Sequence, residues 1–315
     1  MNHVLGRRAA LALTVSAVLL VATACTRSSS AHEEGRVPTV AVTTNILADV
    51  TAAIGGDAIE VIDLMPPGAD PHGLALSAAE AERLLDADLV IANGLGLEEG
   101  LVDVLAAARR EGVPVLEVGP ALDPLGYAGT VAARGPDLDP HVWTDPRRMA
   151  TASDLIGDHL AELVTDAAAD DVRGRQEDYR RRLEALDSEI EDMVGTIPPE
   201  RRRLVTNHHV FGYFADRYGF EVLGAVIPSG STLASPSARD LADLTTVLRT
   251  SDVRAIFAET SQPTRLAEVL AVESGLDIDV VSLHTESLGP PGSSADSYLG
   301  MMRTNAESIT AALVS

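Results

Sequence analysis

Lysine is absent from the 315 residues: all 24 basic side chains are arginine, set against 47 aspartates and glutamates, for a formal net charge of −23. A chain so acidic has no basic face with which to neutralise phosphates, which excludes a nucleic-acid partner. Charge alone will not hold it on an anionic lipid surface either. Without lysine there is no phosphate-binding P-loop, whose motif requires one. The single cysteine excludes an intramolecular disulfide and any Cys-rich zinc cluster. Aromatic residues make up only 3% of the chain, so a core must come from Ala, Leu, Val and Ile. There is no H-E-x-x-H helix and no G-x-S-x-G elbow, so the common zinc-protease and serine-hydrolase patterns are missing. G-x-G-x-x-G is missing too, despite Gly94-Leu95-Gly96. What remains is a hydrophobic content of 46%, ordinary for a globular chain, and a length suited to about two domains.

The first segment reads as an address. Arg7 and Arg8 precede an apolar run from Ala9 to Val21, which ends in the small residues Ala22-Thr23-Ala24 and then Cys25. The run is short for a membrane span and fits a signal peptide over residues 1–24. The junction resembles the lipobox of bacterial lipoproteins, which implies cleavage before Cys25 and a diacylglycerol on its thiol. Residues 25–37 then form the lipidated cysteine and a flexible tether, since Thr26–Arg36 is polar, Ser-rich and without periodicity. His32 in that tether reads as a solvated bystander.

From Val37 onward, short β-branched runs alternate with helical patterns. Strands are expected over Val37–Thr44, Ile59–Met65, Leu89–Ala92 and Val113–Val118, and helices over Ile46–Ile54, Ser77–Asp86 and Leu101–Arg110. Ser77-Ala-Ala-Glu80 is a capping-box pattern. A long helical stretch follows, from Pro146 with breaks to about Val194. Its second part is thick with charge and carries Leu183, Leu186 and Ile190 at helical spacing. The alternation then restarts, with strands at Leu204–Thr206, Phe220–Ile227, Arg254–Ala258 and Asp279–Leu283. Helices are expected at Val210–Tyr218, Arg239–Arg249, Thr264–Ser274 and Ala295–Val314. Repeated β–α units imply mainly parallel sheets flanked by helices. The expected organisation is two α/β lobes, residues 38–168 and 197–315, joined by one long rigid helix over 169–196.

In open parallel sheets, ligands bind beyond the carboxyl ends of the strands. Thr44-Asn45, Asp70-Pro71-His72, Asn93, Asn207-His208-His209, Ser229, Glu259 and His284 with Glu286 all fall at that address. If the two sheets face each other by these ends, the residues line one cleft. Among the eight histidines, His3 is lost with the signal and His159 sits within a helix. His72 and His141 each close the tripeptide Asp-Pro-His, where Pro fixes the backbone and Asp70 or Asp139 could orient the ring. With His208 and a carboxylate they could make a four-ligand site, and that donor set suits Zn²⁺ or Mn²⁺.

The motifs Pro67-Gly-Ala-Asp-Pro-His72, Asp139-Pro-His-Val-Trp-Thr-Asp-Pro146, Thr206-Asn-His-His-Val-Phe-Gly-Tyr-Phe214 with Arg217-Tyr-Gly219, Phe257-Ala-Glu259 and Thr285-Glu-Ser-Leu-Gly289 occur in order. In these the chain resembles the metal-specific solute-binding lipoproteins of bacterial ABC importers, the zinc- and manganese-binding group (cluster A-I), from about Val40 to the C-terminus. The resemblance implies two lobes on a rigid helix and one metal ion at their interface, handed to a membrane permease driven by an ATPase. It places the ligands on His72, His141, His208 and Glu286. Glu286 stands where most relatives carry Asp. His209 stands where relatives usually carry an acidic residue, so it competes with His208, although the flanking Thr206 and Phe211-Gly-Tyr213 favour His208. Glu259, Asp70 and Asp139 are expected behind the ligands, Glu259 also as an alternative donor.

Three imidazoles and one carboxylate favour zinc, with manganese second and iron third. Many zinc-specific relatives carry a His-rich loop, yet Pro120–Asp137 here has no histidine. The protein is expected to be a monomer, not an enzyme, held at the outer face of the membrane by its lipid. Competing readings are a secreted zinc-dependent hydrolase, with Glu259 as base, and a surface adhesin lipoprotein.

Overall fold

The computed structural model describes residues 36–127, 138–251 and 253–314. The expected signal peptide, Cys25 and most of the tether lie outside the described residues, as does much of the His-free stretch.

The first half opens with strand β1 (Thr39–Val42), shorter than the expected Val37–Thr44. Thr44 is already turned to cap helix α1 (Asn45–Gly55), its side chain accepting the Leu47 N–H. Gly56 ends that helix with φ 53°. Strand β2 (Glu60–Asp63) leads through a long loop to α2 (Ala78–Leu85). The capping box at Ser77 and Glu80 forms with both its hydrogen bonds. Strand β3 (Leu89–Ala92), helix α3 (Val102–Glu111) with left-handed Gly112 behind it, and β4 (Val115–Glu117) complete the sheet.

The long helical stretch is two helices. Helix α4 (Pro146–Leu163) starts with proline in its first turn, after an Asp145 cap. Extended backbone at Val164 and Thr165 separates it from α5 (Asp166–Gly195), the long charged helix, which begins earlier than its charge pattern suggests. The second half follows with β5 (Arg203–Thr206), α6 (Gly212–Tyr218), β6 (Glu221–Ala225), α7 (Ala238–Thr250) and β7 (Ala255–Glu259). Helix α8 (Arg265–Ser274), β8 (Asp279–Leu283) and α9 (Tyr298–Val314) close it. Helix α9 was expected from Ala295. It starts three residues later because Asp49 takes the Tyr298 N–H and Ala295 O accepts from Gly289 N.

Both sheets are fully parallel and share one plan, β2-β1-β3-β4 and β6-β5-β7-β8. In each the chain steps outward from its first strand and then returns to the other side of it. The reversals fall between β1 and β3 and between β5 and β7, where crevices form at the strands' carboxyl ends. The outer face of each sheet has its own apolar cluster, Ile62–Leu84–Val90–Leu105 in one and Val205–Leu244–Ile256–Leu270 in the other. The inner faces share a single cluster that runs through both halves, from Ile46 and Met149 through Leu183 and Leu186 to Tyr298 and Met301. Helix α5 packs against α1, α4 and α9, so it is anchored in both halves.

Asp187, on α5, fixes that anchorage. It is 3% exposed. It accepts from Arg147 Nε at 2.8 Å, from Arg217 Nε at 2.8 Å and Nη2 at 2.6 Å, and from the Tyr218 hydroxyl at 3.0 Å. One carboxylate thereby ties α5 to α4 on one side and α6 on the other. Burial pushes its pKa up, but the hydrogen bonds from Arg217, Arg147 and Tyr218 outweigh that and hold it below the ordinary value. A carboxyl lowered on folding contributes stability that is present above its unfolded pKa and lost as pH falls through its folded one. Asp187→Ala is expected to lower unfolding free energy by about 2–3 kcal/mol at neutral pH in urea denaturation. The variant should also lose part of the wild-type stability decline seen in acid.

Candidate metal centre

The four residues singled out by the resemblance come from four separate connections. His72 lies in the loop after β2, where Asp70 Oδ1 accepts its backbone N–H at 2.9 Å. His141 opens a short 3-10 turn before α4. Asp139 Oδ1 takes both its backbone N–H, at 2.9 Å, and its ring Nδ1, at 2.6 Å. His208 follows β5, with Nδ1 2.7 Å from Glu259 Oε1 at the end of β7. Asn207 Nδ2 donates to the same Glu259 oxygen at 2.6 Å. Glu286 follows β8 on a strap held by the first half. Trp143 Nε1 donates to Thr285 O at 2.7 Å, Asn45 Nδ2 to Ser287 Oγ at 2.7 Å, and Leu288 N to Asn45 Oδ1 at 3.0 Å.

Carboxylates behind Nδ1 orient the His141 and His208 rings, so each Nε2 faces a common point and is the atom left to bind an ion there. His141 Nε2 is 3.4 Å from His72 Nε2 and 3.2 Å from His208 Nε2. Glu286 Oε1 is 3.4 Å and 3.2 Å from the same nitrogens of His141 and His208. One donor atom from each of the four residues lies within 4.8 Å of all the others, and all four residues are buried. A tetrahedral ion with arms of about 2.0–2.1 Å needs donor–donor edges of about 3.3–3.4 Å; the four separations among His141, His208, Glu286 and the His72–His141 pair lie close to that, and His72 completes the set within 4.8 Å of the others.

The Glu286 carboxylate is 1% exposed, and neither oxygen meets a hydrogen-bond donor in bonding geometry. A buried carboxylate in that state is costly unless a cation compensates it. The residues therefore fit a divalent ion.

Burial shapes the charges. It lifts the Asp139 carboxyl to about 7 against the pull of the His141 backbone N–H and nearby imidazoles. It drives His141 well below the ordinary histidine value, against Glu286. Burial also pushes His208 down, but the Glu259 charge and hydrogen bond, helped by Glu286, reverse this and raise it to about 10.

The other expected residues divide. Glu259 and Asp139 stand behind imidazoles. Asp70 does not. It binds the His72 backbone, while its second oxygen faces Thr232 and Gln262 of the other half. The His72 ring Nδ1 is instead 3.6 Å from Glu99. His209 turns its ring toward Tyr127, centroids 6.4 Å apart, and is not in the four-donor group. His284 bonds Thr260 and its backbone is held by Asn305. His159 bonds the Leu155 carbonyl of its own helix.

Sequence reasoning passed over Glu98. It is 4% exposed and accepts from Thr43 Oγ1, Asn93 N and Gly94 N. It thereby secures a loop in which Gly94, Leu95 and Gly96 all have positive φ. That loop aims Asn93 Nδ2 at Pro140 O, 2.9 Å away, and so seats the turn carrying His141. The run Asn-Gly-Leu-Gly-Leu-Glu was the available signal: a tight turn followed by an acid with no visible partner. Tyr213, whose OH donates to Asp139 O at 2.5 Å, was likewise passed over except as part of a motif.

Two parallel-sheet lobes on a shared helical core, with four buried donors where the sheets' carboxyl ends meet, define a two-lobed binding protein with a candidate metal centre. The chain belongs to the family described as zinc-uptake complex component A, periplasmic, which it matches over residues 40–312. This is a family of metal-binding transport proteins, not enzymes, and the hydrolase reading falls with that membership.

The chain is 32% identical over 292 residues to the zinc-binding protein TroA of Treponema pallidum, spanning 91% of this chain and 92% of TroA. It is 31% identical over 303 residues to the manganese-binding lipoprotein MntA of Bacillus subtilis, spanning 92% and 94%. A solved structure of the Treponema pallidum periplasmic zinc-binding protein TroA superposes with a TM-score of 0.80 at 30% identity, covering 88% of this chain and 99% of TroA.

Asp139→Ala is expected to weaken metal affinity about 10–100-fold while the fold persists, because His141 loses the group that orients its ring. Chelator competition, with circular dichroism as the control for folding, measures both.

Proposed function

We propose that this chain is the extracytoplasmic substrate-binding component of an ABC metal importer. It captures one divalent transition-metal ion as cargo through His72, His141, His208 and Glu286, and delivers it to a membrane permease driven by an ATPase. The observation that carries this reading is the buried Glu286 carboxylate, with no hydrogen bond to either oxygen, gathered with three imidazole nitrogens inside 4.8 Å. Four protein donors close the coordination sphere, as a carrier requires and a catalytic zinc site does not.

Zinc is the favoured cargo and manganese the second. Three nitrogens and one carboxylate suit zinc, while manganese favours more oxygen. Both ions appear in the relatives' names, zinc-binding for TroA and manganese-binding for MntA. The organisation follows the lobes, with residues 38–168 and 197–315 on either side of the bridge over 169–196. All four donors come from one chain, so a monomer suffices.

Cys25 carries the lipid and residues 26–37 give reach from the membrane surface. No helix among the described residues is long and apolar enough to cross a membrane. Two or three acyl chains on one cysteine give stable attachment.

Purified without added metal, the protein is expected to hold about one zinc per chain by elemental analysis. Zn²⁺ should outcompete Mn²⁺ at equal concentration. Retention of manganese alone would reverse the order of the two ions, and loss of both would overturn the reading. Each imidazole binds only when neutral, and His208, raised to about 10 without the ion, must give up its proton to bind, so affinity should rise toward that pH and fall as pH drops below it. Isothermal titration at a series of pH values checks the sign. Cys25→Ser should move the protein from the membrane fraction to the soluble one.

A further inference from the structure

Of the three imidazoles, His72 alone lacks a buried carboxylate behind it. Its Nδ1 has no hydrogen-bond partner and lies 3.6 Å from Glu99, whose side chain is 44% exposed. The loop that carries it is only partly embedded, with Pro66, Pro67 and Gly68 exposed. Segments with few buried apolar contacts open first. His72 is therefore the donor whose position depends most on how its loop is held.

Two ties hold that loop to the second half. Gly68 N donates to Ser287 Oγ at 2.8 Å. The larger tie is Asp70. Its Oδ1 accepts the His72 backbone N–H at 2.9 Å, while its Oδ2 accepts from Thr232 Oγ1 at 2.5 Å and Gln262 Nε2 at 2.7 Å. Thr232 lies between β6 and α7, and Gln262 between β7 and α8. Beside them, Leu233 comes within van der Waals contact of a Cβ placed on Gly73. One carboxylate thus grips the metal-binding loop with one oxygen and the opposite half with the other.

We propose that Asp70 is a positioning residue, a clasp that couples contact between the two halves to retention of His72 in the donor set, and so sets the rate of metal release. This rests on the four-donor reading above. With the clasp shut, the His72 main chain is fixed relative to His208 and Glu286, which the second half supplies. With it open, the His72 loop keeps its tie at Gly68 but loses its two hydrogen bonds to Thr232 and Gln262. His72 can then leave while three donors still hold the ion, and that is the first step of dissociation. Clasp geometry therefore acts on departure of the ion and little on its arrival.

The test uses the full chain loaded with Zn²⁺ and mixed with excess chelator in a stopped-flow instrument. The double variant Thr232→Val/Gln262→Leu removes the two donors without touching a metal ligand or the Asp70–His72 bond. It is expected to release zinc at least about tenfold faster, with an association rate near wild type. Thr232→Ser, which keeps the hydroxyl, should release zinc at the wild-type rate. An unchanged release rate in the double variant overturns the clasp, as does an equal loss in the stability of the metal-free protein to urea. A wild-type chain that retains no zinc in the same assay overturns the metal-site reading itself, and that result is read before any variant is compared.

Discussion

The Glu286 carboxylate is the constraint around which the rest is arranged. An anionic group almost without solvent, and with no hydrogen bond to either oxygen, stands against three imidazoles. No sequence would place it there for stability, since a neutral isostere would cost less. Its placement depends on the strap after β8 being tied to Asn45 and Trp143 in the first half. The interface between lobes and the donor cluster are therefore one structure, not a site laid upon a finished fold.

That interface is stiff for identifiable reasons. The inner apolar cluster is continuous across both halves, and α5 belongs to both. Asp187 adds a polar lock between α4, α5 and α6. Wide opening would have to break the shared core, so motion is confined to loops at the carboxyl ends of the strands. Among those, the loops bearing His141 and His208 are backed by buried carboxylates and the one bearing His72 is not.

Much of this was legible in the sequence. Strands Leu89–Ala92 and Asp279–Leu283 are found at their expected bounds because each holds three β-branched or leucine residues in a short run, Leu-Val-Ile in one and Val-Val with Leu in the other. The capping boxes and left-handed glycines mark helix ends for local reasons. Strand ends were overestimated where threonines or apolar residues serve the next turn instead, as Thr44 does. The donor set could be named because paired Asp-Pro-His tripeptides are rare and the motifs ordered. The partners of those donors were only half legible. Asp139 orients its histidine ring and Asp70, in the same tripeptide, does not, because what the second oxygen meets is decided by residues over a hundred positions away. Glu98 was invisible for the same reason: its partners are backbone amides of a loop whose shape no pattern discloses.

The two sheets repeat one strand order, and the loop after the second strand of each ends in the same device, a serine capping box closed by an acid. His72 and Thr232 each sit five residues before that capping serine. They occupy equivalent places in two copies of one architectural plan, joined across the seam through Asp70. A twofold design has been broken in its chemistry only: one copy grew a ligand, and its counterpart became the keeper of that ligand.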